Sequence, residues 1–169
     1  MGEAEHKEKS PDHVRCYVLG VSDTRTEEND FSGQLVKELL KDNFHKVVGY
    51  SILKDDKAKI KTAVKKLAAD DRVEVILLTG GTGISPRDVT VEAIEEIFDK
   101  KIDGFGQVFR SLSYAEVGPA AILSRATAGV IQRKVVVAMP GALEAVRLAM
   151  NDILLPELGH MVFEAGKGS

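Results

Sequence analysis

The sequence predicts a single α/β domain: a parallel sheet with helices packed against both of its faces. Three observations predict it. The strand-like segments are nearly unbroken apolar runs rather than in-and-out alternations, as expected of strands covered on both sides. Segments with helical periodicity lie between them, the order that yields βαβ units. The length of 169 residues, 44% of them hydrophobic, suits one domain with an ample core.

The elements follow in chain order. Up to Asp12 the chain is charged and contains Gly2 and Pro11, so residues 1–12 are expected to be disordered and 13–169 to form the domain. Val14 to Val21 (VRCYVLGV) reads as a strand buried on both faces. Phe31 to Lys41 carries Phe31, Leu35, Val36, Leu39 and Leu40 on one helical face. Lys46 to Leu53 is the second strand, and Lys57 to Ala69 a helix with Ile60, Ala63, Val64 and Leu67 on one side. Val73 to Thr79 (VEVILLT) is the third strand, and it runs straight into Gly80-Gly81-Thr82-Gly83. Val91 to Phe98 and Phe105 to Tyr114 are expected as helices, and Lys134 to Met139 as a further buried strand stopped by Pro140-Gly141. Ala142 to Met150 and Pro156 to Phe163 read as two closing helices, the second one shorter.

Composition excludes several classes of function. The net charge is -3 and no basic stretch offers an electrostatic footprint for nucleic acid. Cys16 is the only cysteine, so no internal disulfide can form; a reducing compartment is expected, with Cys16 a small buried hydrophobe. No apolar run reaches the length of a membrane span. The polar start, Met1 to Pro11, is unlike a signal peptide, and His6 stands where a myristoylation pattern wants Ser or Thr. These features together point to a cytoplasmic protein. His6, His13, His45 and His160 are scattered without the spacing of a transition-metal site, and no G-x-S-x-G elbow marks a serine hydrolase.

In a parallel sheet of this kind, ligands bind beyond the carboxyl ends of the strands. The candidates are therefore Ser22-Asp23-Thr24-Arg25, Asp55-Asp56, the glycine loop with Ser85-Pro86-Arg87-Asp88, and Pro140-Gly141. Each could be an ordinary turn on local grounds; the case for a site rests on their sharing one edge. TGGTGISPRDVT (Thr79 to Thr90) is the most informative stretch, because its glycines let backbone N–H groups approach an anion. The hydroxyls of Thr82 and Ser85, with Arg87 and Asp88, favour phosphate. It is not a Walker loop, since no Lys-Ser/Thr follows the last glycine, and Pro86 replaces the third glycine of a dinucleotide fingerprint. Asp55 and Asp88 are the carboxylates to place on Mg²⁺, which takes one or two carboxylates plus phosphate oxygens and water. Asp55 competes with the role of N-cap for the helix near Lys57, although Asp56 is better placed; Asp88 competes likewise, although Thr90 is an alternative cap. The sequence leaves both readings open.

These residues resemble those of the molybdopterin adenylyltransferase family, which includes the MoaB and MogA proteins and a domain of gephyrin. The likeness covers nearly all of the chain after Asp12. It is carried by Val21-Ser22-Asp23, Asp30 with Ser32-Gly33, TGGTGISPRDVTVEA (Thr79 to Ala93), Gly104-Phe105-Gly106 with Phe109-Arg110, Ala121-Ile122-Leu123-Ser124-Arg125, and Met139-Pro140-Gly141. Pro140-Gly141 is followed by Ala142-Leu143-Glu144, which is closer to the MoaB branch than to the PGxP form of the MogA branch.

The resemblance implies a three-layer α/β/α fold with a mostly parallel central sheet, ATP and Mg²⁺ as requirements, and molybdopterin as acceptor. It implies transfer of AMP from ATP to the terminal phosphate of molybdopterin, with pyrophosphate released, in the pathway to molybdenum or tungsten cofactor. Asp55 and Asp88 match the family's two aspartates for catalysis and metal. Ser22, Asp23, Thr79, Gly80, Gly81, Thr82, Gly83, Ser85, Ser124, Pro140 and Gly141 are the expected substrate contacts. Ser124 enters on the resemblance alone; otherwise it is a loop hydroxyl. The family forms trimers and, in the MoaB branch, hexamers, so a homo-oligomer is expected. Two rival functions remain: a molybdopterin-binding protein that transfers nothing, and a nucleotide pyrophosphatase of the related competence-damage family.

Overall fold

Alternate residues of the central strands feed two separate cores, and this fixes the layering. The computed structural model describes residues 2–168; Met1 and Ser169, the outer ends of the expected spans, lie outside the described residues. In strand β3 (Val75–Thr79), Val75 and Leu77 join one core while Ile76 and Leu78 join the other, and all five residues are buried. Strand β1 (Arg15–Val21) divides likewise, with Cys16 and Val18 on one side and Leu19 and Val21 on the other. Period-two side-chain direction in strands that are apolar throughout requires a cover on each face.

Strands β2 (Lys46–Leu53), β1, β3 and β6 (Lys134–Met139) run parallel in the spatial order β2-β1-β3-β6. The sheet is completed by β5 (Thr127–Ile131), antiparallel to β6, and by β4 (Lys100–Lys101) at the edge, antiparallel to β5. On one face lie helix α2 (Phe31–Asp42), helix α5 (Asp103–Val117) and the closing helical segments; Val36, Leu40, Phe105, Phe109, Leu154 and Leu158 fill that core. On the other face α3 (Lys57–Ala68) and α4 (Thr90–Glu95) bring Ile60, Val64, Ala93 and Ile94 to the sheet. This is a single-domain, three-layer α/β/α architecture with a mostly parallel sheet. No helix among the described residues is long and apolar enough to cross a membrane.

Three local outcomes differ from the sequence reading. First, β4 and β5 were not expected. The short β5 contains Ala128 and Gly129, and the ring of Phe98 lies where a side chain at 129 would stand. α4 stops at Glu95, short of the expected Phe98. The β5–β6 hairpin turns on Gln132 and Arg133, both at positive φ (48° and 66°), without the Asn-Gly pair that signals such turns. Second, the two closing helices form one continuous helical path: α6 (Leu143–Arg147), a π-helical stretch over Leu148–Leu154, and α7 (Leu155–Gly166). Pro156 has no N–H to give and would interrupt α-helical bonding; the wider π register just ahead of it carries the chain through. Third, the segment expected to be disordered carries a two-turn helix, α1 (Glu3–Lys9). Lys7 Nζ lies 2.6 Å from Glu157 Oε1, and the carbonyl of Pro11 packs where Gly159 has no side chain. Docking onto α7 supplies the contacts that a short charged helix lacks by itself.

Candidate active site

Four parallel strands deliver their carboxyl ends to one edge of the sheet. There β1 runs into Ser22-Asp23, β2 into Asp55, β3 into the glycine loop and β6 into Pro140-Gly141. The glycine loop leaves the sheet sharply. Gly80 N–H still extends the β3–β6 ladder to Met139 O (3.0 Å), but Gly80 and Gly81 then take φ of 99° and 69°. A β-carbon at 80 would strike Val21 O, and one at 81 would strike the Thr90 hydroxyl, so glycine is required at both positions.

Every carbonyl of the loop is tied back towards the protein. Gly80 O accepts from the Thr90 hydroxyl (2.9 Å) and Gly81 O from Thr90 N–H (3.1 Å). Thr82 O accepts from Arg125 N–H (3.1 Å), and Gly83 O from Arg125 Nε (2.9 Å). Because the C=O and N–H of a trans peptide point in opposite directions, the amides of residues 81 to 84 are turned the other way. None of those four N–H groups has a partner among the described residues. Four unpaired donors turned to one side are chemically suited to receive an anion.

The two carboxylates singled out from the sequence flank this loop. Asp55 Oδ1 lies 3.1 Å from where a β-carbon on Gly81 would be, and Asp88 Oδ2 lies 2.8 Å from the same point on Gly83. Asp56, not Asp55, caps α3 by accepting from Lys59 N–H (3.0 Å), which leaves the Asp55 carboxylate free. Asp88 Oδ2 accepts from Ser85 N–H (3.0 Å), with its second oxygen left over. No side chain caps α4: its N-cap position is held by the apolar Val89, and the Thr90 hydroxyl closes the glycine loop instead. Burial, then the negative charge of Asp23, then that of Asp88 push the Asp55 carboxyl above the usual carboxylate range. The Asp55 carboxyl therefore feels the charge of Asp88 across the loop.

Asp23 behaves differently. Its two oxygens are held by Arg87 Nε and Nη2, each at 2.9 Å, and it also accepts from Asp55 N–H (3.1 Å). The Arg87 hydrogen bonds hold its carboxyl below the usual range. Arg87 further donates to Asp55 O (3.0 Å), so one guanidinium fastens the ends of β1, β2 and β3 together. Ser22 Oγ accepts from Thr24 N–H (3.2 Å) and Arg25 N–H (3.1 Å), which shapes the first loop. Gly141 O accepts from Arg25 Nη2 (3.3 Å), whose Nη1 donates to Ser32 Oγ (2.8 Å). Ser32 in turn donates to the buried Asp30 (3.0 Å), so the Pro140-Gly141 turn rests on an internal polar network. Thr79 is wholly buried, and its hydroxyl has no partner among the described residues. Thr82 is nearly so, and Ser85 Oγ accepts from Arg87 N–H (3.3 Å).

Ser124 follows a 3₁₀ turn (Gly118–Leu123) and faces a cavity of about 450 Å³ beside α5. Arg110 holds Ser124 O (3.5 Å) and Ala126 O (3.1 Å) from one side, and Arg125 bonds the glycine loop from the other. The cavity does not include Asp55 or Asp88; Arg125 belongs to both places. Sequence reasoning missed Arg125 as a site residue: it lies 42 positions from Gly83, and its only signal was its place next to Ser124 in the family-like run. It also missed Thr90 as the clasp of the loop.

A metal would find a pair of acids here rather than a cage. Among the described residues no group of three or more His, Cys, Asp or Glu side chains converges to hold one. Asp55 and Asp88 on either side of unpaired amides do fit Mg²⁺ carried on a nucleotide, which needs one or two carboxylates and takes its other ligands from phosphate and water.

A family profile described as a probable molybdopterin binding domain matches residues 17–160. The chain belongs to the MoaB family of molybdenum and tungsten cofactor biosynthesis proteins. It is 55% identical to molybdenum cofactor biosynthesis protein B of Bacillus cereus over 97% of its own length and 98% of that protein's. A crystal structure of a molybdenum cofactor biosynthesis protein B superposes with a TM-score of 0.89, at 55% identity over 93% of this chain and 98% of the other. The tungsten cofactor synthesizing protein MoaB from Pyrococcus furiosus gives a TM-score of 0.83 at 40% identity, covering 92% and 99%. In this MoaB-family chain the matched region begins inside β1 and ends within α7, so it contains every strand end that builds the site.

Proposed function

We propose that this protein is a cytoplasmic molybdopterin adenylyltransferase. One phosphate oxygen of molybdopterin attacks the α-phosphorus of ATP; a new P–O bond forms, the bond to the bridging oxygen breaks, and pyrophosphate departs with that electron pair. The observation that carries this reading is the glycine loop: its four carbonyls are turned inward and its four amides outward, with a carboxylate on each side. The family membership supplies the pterin, and the relatives named above are themselves named for molybdenum or tungsten cofactor synthesis.

The chemistry asks little of acid–base groups, because the attacking phosphate is already an anion at neutral pH. What it demands is that two anions be held in line with their charge balanced. The amides of residues 81 to 84 and the hydroxyls of Thr82 and Ser85 hold the phosphates of ATP, while Ser124 holds the acceptor. Asp55 and Asp88 would hold Mg²⁺, which when bound offsets the charge of the triphosphate. Asp23 and Arg87 keep the three loops in register around the reacting groups.

The protein works as a homo-oligomer, a trimer or hexamer. Tyr114, Val117, Ile122 and Leu123, at the end of α5 and in the 3₁₀ turn, are each at least half exposed and form an apolar patch that an isolated chain leaves in water. Light scattering that returned the mass of one chain would refute this assembly. The catalytic proposal is tested by incubating the protein with molybdopterin and ATP and measuring pyrophosphate. Release that depends on the pterin supports transfer. Tight pterin binding without release makes the protein a carrier, and pyrophosphatase action on a dinucleotide without pterin would favour the third reading.

A further inference from the structure

Arg125 holds two carbonyls of the glycine loop, yet it lies outside the loop and bonds neither the Asp55 carboxylate nor the free amides. Its backbone N–H takes Thr82 O (3.1 Å), its Nε takes Gly83 O (2.9 Å) and its Nη2 takes Asp88 O (3.3 Å). The same guanidinium forms a two-point ion pair with Glu92 on α4, at Nη1 and Nη2. α4 is packed into the core through Ala93 and Ile94, so Glu92 stands on a rigid support and fixes the plane of the guanidinium. The plane in turn fixes one carbonyl of the loop, Gly83 O, and one of the turn that bears Asp88, while the Arg125 backbone N–H holds Thr82 O.

We propose that Arg125 is the positioning residue that aims the phosphate-binding amides. The peptide unit joining Gly83 to Ile84 is planar, so a carbonyl drawn onto Arg125 Nε sends the Ile84 N–H to the opposite side. The bond from Arg125 N–H to Thr82 O does the same for the Gly83 N–H. Glycine at 81 and 83 gives the chain freedom to flip these peptides, and without a clamp the amides would sample both orientations and lose their preorganisation. Arginine is suited to the task because its planar fork reaches a carboxylate and two carbonyls at once, whereas a lysine ammonium is a single point that cannot span them. Arg125 also follows Ser124 directly. Ser124 itself is held through its carbonyl by Arg110 (3.5 Å), so loosening the Arg125 side chain disturbs the loop and leaves the acceptor hydroxyl in place. This assignment rests on the phosphate-binding role of the loop proposed above.

The test uses the full chain with ¹⁵N label, titrated with inorganic pyrophosphate, and compares the wild type with Arg125→Lys and Glu92→Gln. In the wild type the amide resonances of Gly83 and Ile84 move on titration. Arg125→Lys retains the charge and the backbone bond to Thr82; its pyrophosphate affinity falls about tenfold while the melting temperature stays within about 4 °C. Kinetically its KM for ATP rises by the same factor and its KM for molybdopterin does not. A residue that merely stapled the loops together would raise both. Glu92→Gln loosens the guanidinium and gives a smaller loss of the same kind, about threefold, and it decides the matter if the lysine variant does not fold. Wild-type pyrophosphate affinity in a folded Arg125→Lys, in Glu92→Gln if Arg125→Lys is unfolded, or equal rises in both KM values, overturns the assignment. Wild-type resonances that ignore pyrophosphate overturn the phosphate role of the loop and the assignment with it. Pyrophosphate binding in the wild type without any AMP transfer defeats the transferase reading alone, and the Arg125 assignment then stands on the binding arm.

Discussion

Replacing Asp88 by Asn removes a charge and leaves the shape, which makes it the sharpest probe of the proposed chemistry. One carboxylate oxygen, Oδ2, accepts from Ser85 N–H at 3.0 Å and sits against Gly83, where even a β-carbon would come within 2.8 Å. Asn is nearly isosteric and can turn its carbonyl oxygen to the same N–H, so the turn persists. The stability change should stay within about 0.5 kcal/mol, or roughly 1–2 °C in melting temperature for a chain of this size. Asp88→Ala, by contrast, loses the Ser85 bond as well and should cost about 1 kcal/mol, or roughly 2–4 °C. AMP transfer should fall in both variants, far out of proportion to the small stability change of the Asn variant. The Asn variant lacks the second anionic oxygen that would face the nucleotide's cation, and by analogy with the loss of one preorganised electrostatic group its turnover should fall about 10²–10³-fold, while its affinity for molybdopterin should be unchanged. The assay is pyrophosphate release under saturating ATP and pterin, beside a thermal melt of each variant. An Asn variant that turned over at the wild-type rate would refute the role given to Asp88, whatever its stability.

Two further outcomes follow from the same geometry. The Asp55 carboxyl is held above its ordinary range by burial and by Asp23 and Asp88, so the folded state disfavours its ionisation. That penalty is absent below the unfolded pKa, near pH ~4, builds as pH rises from there to the higher folded value, and is constant above it. Asp55→Asn should therefore melt about 1–3 °C above the wild type at neutral pH and no higher than it at pH ~3; Mg²⁺ should raise the melting temperature of the wild type and not of the variant. Unchanged melting at pH 7 would show that the three acids do not crowd one another. Tyr50→Phe removes the phenol that donates to Asp30 Oδ2 at 2.6 Å and leaves a fully buried carboxylate oxygen without that donor. It should cost about 1–3 kcal/mol in urea unfolding, and a smaller loss would mean that water replaces the phenol.

The parts of the fold that could be read from residues were those where a single physical rule dominates. β1, β2, β3 and β6 are apolar runs because both faces are covered, and their common direction put Asp23, Asp55, the glycine loop and Gly141 on one edge before any coordinates were needed. Asp56 was the better cap by position, and it is the cap. The misses are positions where a distant neighbour decides the outcome. β5 contains a glycine because Phe98 lies across it, and β4 is two exposed lysines placed by pairing with β5 and by the ion pair of Lys101 with Glu95. In the site, the glycines announced a sharply turned loop, but nothing local says that Asp23 would be taken up by Arg87, 64 positions away, or that Arg125 would hold the loop's carbonyls. Side-chain forks that bridge loops leave no periodicity behind.

The π-helical stretch over Leu148–Leu154 constrains how the chain can vary in length. Deleting one residue there would let the backbone bond as a plain α-helix, a local gain. Yet every residue after the cut would rotate by about 100° about the helix axis. Leu158 would swing out of its pocket, Gly159 would no longer lie beneath Pro11, and Glu157 would leave Lys7. The extra residue acts as a phase shifter, setting the angle at which the last helix presents one side to the sheet and another to the amino-terminal arm. Insertions and deletions should be tolerated in the surface turns and rejected in this rod, one side of which is buried.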